Sequence, residues 1–170
     1  PAPERLRLVL TWGTKPYLPD PQAAAKSIAE SLKPLGTEVA VLQPRDRGEY
    51  VGYLERGDYD LLLAGWIADT PLASDFVDSL LLSTMVTSKT APRASAYNLS
   101  RWQNAATDRA LDQFRKTQDV KDLVPIVRTI QEEGLLVPLL HGKLIAVSHR
   151  DTRRFQPSPL ARSAFGDVDL

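Results

Sequence analysis

The chain has no cysteine, so it forms no disulfide, holds no thiolate-bound metal and supports no cysteine nucleophile. The absence does not fix a compartment, because cysteine-free chains suit both the cytosol and an oxidising periplasm. Histidine is nearly absent too: only His141 and His149 occur. No carboxylate pair stands at ligand spacing to either, and a metal site needs several convergent ligands. His141 reads as a turn residue and His149 as a surface residue. Charge of one sign is also missing. Lys plus Arg and Asp plus Glu both number 21, and a nucleic-acid or anionic-membrane partner calls for an excess of positive charge. No apolar run approaches the roughly 18–20 residues of a membrane span. The opening PAPERLRLVL lacks the basic region followed by an apolar one that marks a signal peptide.

Catalytic signatures are missing as well. There is no GxSxG, no GxxxxGK[ST] and no GxGxxG. Asp58, Asp60 and Asp69 are the nearest thing to an acid–base set, and the first two read as the polar entry to a strand. The sequence gives no positive argument for an enzyme, and a small α/β hydrolase or transferase lacks its nucleophile constellation.

What is present is a chain of 170 residues, enough for one domain with a real core. Its many prolines sit between elements rather than inside them. LRLVLT (Leu6 to Thr11) alternates as a strand does. WGTKPYLPDP is a loop. Asp20 then N-caps a helix with Pro21 in its first position; Ala24, Ala25, Ile28, Ala29, Leu32 and Leu35 fall on one face, and Gly36 ends it. TEVAVLQ (Thr37 to Gln43) is a second strand. Tyr50, Leu54 and Val51 indicate a short helix closing at Gly57. YDLLLAGW is apolar throughout its centre, as a central strand covered on both faces would be. The β-α-β-α-β order predicts a parallel sheet flanked by helices.

SDFVDSLLLS (Ser74 to Ser83) predicts a further helix, and residues 84 to 97 a long loop. NAATDRALDQFRKT is helical, with Ala110, Leu111 and Phe114 on one face. DVKDLVPIVRTIQEEG is helical, with Asp119 as N-cap and Pro125 marking either a kink or a late start. LLVPLLHGKLIAVSH reads as β, broken at His141-Gly142, and the FGDVDL tail as a last short strand. Glu132 and Glu133 lie on a solvated helix face.

One place does not look like an ordinary strand exit. The run Leu61 to Ala64 stops at Gly65-Trp66, and an acid, Asp69, follows three residues on. Open α/β sheets bind ligands in the crevice past the carboxyl ends of their strands. Two readings of Asp69 stand side by side: a turn or helix cap, and a ligand contact. Trp66 is either core or a wall of a site. Trp102 reads as a packing anchor. Arg101 is an ion-pair partner or simply exposed, and Trp12 and Tyr17 are aromatics with a chance of facing a cleft.

The segments KPYLPDP, LGTEVAV, YVGYLERGDYD, GWIAD, NLSRWQN and VPLLHGK occur in this order along nearly the whole chain. Together they resemble the C-terminal lobe of the extracellular solute-binding proteins (family 5) of oligopeptide and dipeptide ABC importers. The most specific part is GDYD followed by GWIAD, with SRW-x-N downstream. The resemblance implies an α/β lobe of the type II periplasmic-binding-protein kind, with residues 1–170 as one lobe and the N-terminal lobe elsewhere in a longer protein. It implies a two-lobed clamp on a peptide or other small solute, an ABC permease as partner, no cofactor and no catalysis. Asp69 matches the family's anchor for the ligand α-amino group and Trp66 an apolar wall. The backbone around Ile67 and Ala68 matches the stretch that pairs with an extended peptide, and Gly65 would let that backbone approach.

The matches are not complete. The family often carries Asp-Pro where this chain has Leu72-Ala73, and Asn-Tyr-Ser where it has Asn98-Leu99-Ser100. The family also includes binders of nickel complexes, haem and sugars, so peptide is its default ligand. The location implied is periplasmic or lipid-anchored at the cell surface. A second reading is a sensor module fused to a DNA-binding domain in a cytoplasmic regulator.

Overall fold

The computed structural model describes residues 5–15, 17–67, 69–70, 72–86, 97–140 and 147–152. Its sheet comes from the first 63 residues. Strand β1 (Arg5–Leu10) pairs in parallel with β2 (Glu38–Leu42) on one side and β3 (Leu61–Leu63) on the other. The register sets Arg5 opposite Glu38 and Leu10 opposite Leu63. The parallel β-α-β-α-β order is as the sequence predicts. Among the described strands β1 lies in the middle, and β3, expected as the central strand, pairs there with β1 alone. A leucine run measures how apolar a strand's surroundings are, not how many neighbours it has. Only Leu63 of the three leucines is buried, whereas Leu8, Val9 and Leu10 of β1 are all fully covered.

Helix α1 (Pro21–Leu32) forms the first crossover. The Asp20 carboxylate accepts the Ala23 N–H at 2.9 Å, and Pro21 contributes its fixed φ to the first turn. The helix tightens through a 3-10 turn at Lys33–Leu35 and stops at Gly36, whose φ of +73° is a left-handed conformation suited to glycine. Ala25 and Ile28 pack onto Leu8, Leu10 and Leu63. Leu35, predicted on that apolar face, points outward because the 3-10 turn breaks the helical phase.

Helix α2 (Arg47–Arg56) begins three residues before Tyr50. The cause is side-chain capping that the weak apolar periodicity conceals. Asp46 accepts the Glu49 N–H at 2.9 Å, and Glu49 reaches back to the backbone N–H and the guanidinium of Arg45. Gly57 closes the helix in a left-handed turn, as expected. Asp60 then locks the entry to β3: it takes the Arg7 N–H on its carboxylate at 2.7 Å and returns its own N–H to the Arg7 carbonyl at 3.0 Å. That backbone donor first, and the Arg7 guanidinium second, hold the Asp60 carboxyl below its ordinary range.

The remaining regular elements among the described residues are helical. Helix α3 (Ala73–Leu81) runs into a 3-10 turn at Ser83–Met85. Helix α4 (Ala105–Thr117) is capped by Asn104, which accepts from Ala106 and Thr107. A 3-10 turn at Val120–Leu123, capped by Asp119, leads into α5 (Val124–Glu132). Pro125 lies in the first turn of α5, so it marks a late start and not a kink. Leu81, Leu111 and Ile126 close a core between these three helices, separate from the one under the sheet. The Arg115 guanidinium bridges α4 to α3 through Asp78 at 2.8 Å.

The run expected as β begins at Leu135, but residues 135–140 and 147–149 form no strand: apolar content without a pairing partner does not make one. Residues 141–146 of that run, the FGDVDL tail at 165–170 and 87–96 of the expected loop lie outside the described residues.

Two motifs join the halves. Tyr59, in the GDYD turn, donates its hydroxyl to the Leu99 carbonyl at 2.7 Å. Arg101 donates to the Leu54 carbonyl at 3.2 Å and lies against Gly57, where an added Cβ would come within 3.1 Å of its Nε. Arg101 itself has φ +59°. GDYD and SRW thus form a connected clasp between sheet and helices.

Candidate functional site at the end of β3

Past Leu63 the chain leaves the sheet. Among the described residues, Trp66 and Ile67 enter no backbone–backbone hydrogen bond. An unpaired backbone at the carboxyl end of a parallel strand is a surface onto which another extended chain can be added.

Gly65 is required here by contact. A Cβ built on it would sit 2.3 Å from Cε2 and 2.6 Å from Cδ2 of Tyr17. The Tyr17 ring thus occupies the side on which a Cβ would lie, while Gly65 itself is exposed. That ring also packs on the sheet core, and burial pushes its phenol pKa up. Burial does the same to Tyr50 and Tyr59 nearby, with Arg101 partly opposing it at Tyr59. These phenols stay neutral and serve as wall, not as charge. G65A is expected to destabilise the fold by about 1–3 kcal/mol through overpacking. In urea unfolding, pairing it with Y17L should recover part of that loss. Strictly additive effects would show that the Tyr17 contact is not the cause.

Trp66 is half-buried and meets Tyr97 edge-on, with ring centroids 4.8 Å apart at 62°, an arrangement favoured by the aromatic quadrupole. Its indole N–H is buried and has no acceptor among the described residues. It is therefore a packing residue whose donor is unmatched among the described residues. Ile67 is exposed, as are Leu72 and Phe76 further along. Ala68 lies outside the described residues.

Asp69 is exposed. The N-cap position of α3 belongs to Leu72, whose side chain makes no cap bond, so Asp69 is not the cap of that helix. Its backbone N–H donates to the Asp75 carboxylate, which also accepts the Thr70 N–H at 2.8 Å. Of the aromatics set aside earlier, Trp102 donates its indole N–H to Thr107 at 3.2 Å and is the anchor expected. Trp12 carries Lys15 above its ring at 3.8 Å. Arg101 acts by bonding a backbone carbonyl.

Sequence reasoning gave no role to Tyr97 or Asp75. Tyr97 had no signal, because its partner is 31 positions upstream across the fold. Asp75 had one, an acid three residues after the N-cap of α3, but its target lies further upstream than a capping box reaches. No group of three or more His, Asp or Glu gathers as a metal site among the described residues.

No family model matches the chain. Curated relatives do. Di/tripeptide-binding protein 4 of Pseudomonas aeruginosa is 24% identical over 98% of this chain, which covers 30% of that relative. Di/tripeptide-binding protein 2 of the same organism is 25% identical over 97% of this chain, again 30% of the relative. The chain is similar, over nearly its whole length, to peptide-binding proteins. It spans about 30% of the length of these relatives.

Two solved structures share its fold. HbpA2 from Haemophilus parasuis superposes with a TM-score of 0.77 at 16% identity, covering 98% of this chain and 32% of that one. A dipeptide binding protein from Pseudoalteromonas sp. SM9913, solved in complex with Met-Leu, gives 0.71 at 20% identity, covering 96% and 32%. The α/β fold with a parallel, helix-flanked sheet is thus one that this chain shares with part of each of these two structures. The similar proteins are binders by name, and they lend no support to the regulator reading.

Proposed function

We propose that residues 1–170 are one lobe, the C-terminal one, of a two-lobed solute-binding protein that closes on a peptide and delivers it to an ABC permease. The observation that carries this is the likeness of 98% of the chain to di/tripeptide-binding proteins of which it spans 30%. The geometry at β3 supports it. An unpaired backbone at Trp66 and Ile67 reads the main chain of an extended ligand. Asp69 offers a carboxylate to a terminal ammonium, a strong and directional pairing. Exposed Ile67, Leu72 and Phe76 give apolar surface beside it. No bond is made or broken: ligand that touches both lobes favours the closed form, and the protein does nothing else. The setting is periplasmic or at the cell surface on a lipid anchor.

The test uses calorimetry with the isolated chain and with the protein that carries both lobes. The isolated chain holds one side of the proposed cleft, so peptide binding is expected to be weak or undetectable there. Sub-micromolar peptide binding by the isolated chain would overturn the two-lobed model. Mass spectrometry of whatever co-purifies with the two-lobed protein should return short peptides. A metal complex, haem or sugar in their place would overturn the peptide assignment.

A further inference from the structure

We propose that Asp75 is the positioning residue of the amine anchor: its carboxylate fixes the turn that carries Asp69, so that Asp69 meets a ligand ammonium in one orientation. The inference rests on the peptide-binding reading of Asp69. One oxygen of Asp75 accepts two successive backbone N–H groups, those of Asp69 and of Thr70, the latter at 2.8 Å. Hydrogen bonds to an ionised acceptor are the stronger kind.

The way Asp75 is placed sets it apart from an ordinary helix cap. It is the third residue of α3, the position from which an acid normally folds back on the N–H of its own N-cap. Here that N–H, from Leu72, goes to the Thr70 hydroxyl at 3.4 Å. Asp75 reaches past it to the two residues of the exposed turn. The positive end of α3 favours a carboxylate in its first turn, and α3 is itself tied to the helical core by buried Leu81 and by the Asp78–Arg115 ion pair. Asp75 therefore couples an exposed turn to a packed element.

A turn ordered before the ligand arrives spares the cost of ordering it on binding. The consequence is specific to ligands that use Asp69. In the protein carrying both lobes, affinities for Met-Leu and for N-acetyl-Met-Leu are measured by competition for D75A, D75N, D69A and D69A/D75A. D75A is expected to weaken Met-Leu by about tenfold, as loss of a pre-ordered contact implies, and to leave N-acetyl-Met-Leu unchanged. D75N keeps an acceptor oxygen and is expected to stay within about threefold of the parent protein. The double variant should bind Met-Leu no worse than D69A, because a misplaced anchor and a missing one cannot both be lost.

Wild-type Met-Leu binding by D75A, alongside weakened binding by D69A, would overturn the proposal. So would equal weakening of both ligands, which marks general damage to the lobe, or a D75N loss as large as that of D75A, which marks a charge effect and not positioning. If D69A itself leaves the preference for a free amine intact, the fault lies with the reading of Asp69.

Discussion

Replacing Asn98 by alanine is expected to cost about 3–5 kcal/mol of stability, since several buried polar groups lose their partner at once. Asn98 is fully buried. Its amide donates to the Leu82 carbonyl at 3.1 Å and the Trp102 carbonyl at 2.8 Å, and its oxygen accepts the Ser100 hydroxyl at 2.9 Å. Its backbone N–H completes the set by donating to Met85 at 2.7 Å. The residue thus fastens the end of the α3 turn to the SRW loop. The same loop takes the Tyr59 hydroxyl on Leu99 and places Arg101 on Leu54, so the clasp between sheet and helices hangs from it.

The effect reaches the candidate site through one neighbour. Tyr97 precedes Asn98 and stands edge-on against Trp66. N98A should therefore also release Trp66, seen as a change in its fluorescence before global unfolding. N98D is the sharper test. A carboxylate matches the amide in shape but cannot donate, so it would face two carbonyl oxygens. It should be at least as damaging as N98A at neutral pH. Because the buried acid would have a raised folded-state pKa, its penalty should shrink as pH falls and the protonated form regains a donor. Chemical unfolding of both variants across pH checks this. A loss under about 1 kcal/mol for N98A would show the network to be dispensable.

How much of this could be read beforehand depends on the range of the interaction responsible. Asp20-Pro21, Gly36 and Gly57 act within a turn or so of themselves, and each marks its boundary in the structure as it does in the sequence. Asp119, expected to cap the helix, caps the 3-10 turn before it, and α5 starts only at Val124. The start of α2 was hidden because Asp46 and Glu49 speak through side-chain capping, whereas the periodic signal comes only from Tyr50 onward. Neighbour order in the sheet is a tertiary property. Three leucines are equally apolar in the middle or at the side, which is why β3 reads as central and is not among the described strands. The site divides the same way. The strand exit and its acid are local and legible. The contacts that shape it are distant in sequence: Tyr17 on Gly65 and Tyr97 on Trp66. Asp75 on Asp69 is nearer, but its reach exceeds the pattern that would have pointed to it.

Asp69 carries the other large effect. In the protein that holds both lobes, D69A is expected to weaken a free-amine peptide by about 2–5 kcal/mol, the cost of leaving a buried ammonium without its carboxylate. Asp69 is an exposed residue in this chain, so under the proposed two-lobed clamp the full effect depends on closure, which removes water from the pair and strengthens it. Three readouts separate this from general damage. N-acetylated peptide, which brings no ammonium, should bind D69A and the parent protein equally. D69N, neutral but able to accept a hydrogen bond, should fall between the parent and D69A. Finally, a free α-amine titrates near 7.7–8.0, and pairing with Asp69 would raise that value in the complex. Affinity for the parent protein should therefore be flat below about pH 7 and fall as pH rises past about 8, and in D69A that slope should largely vanish. Calorimetric titrations across this range decide it. A pH slope that survives D69A would assign the amine to another partner, and an unchanged affinity would remove Asp69 from the site.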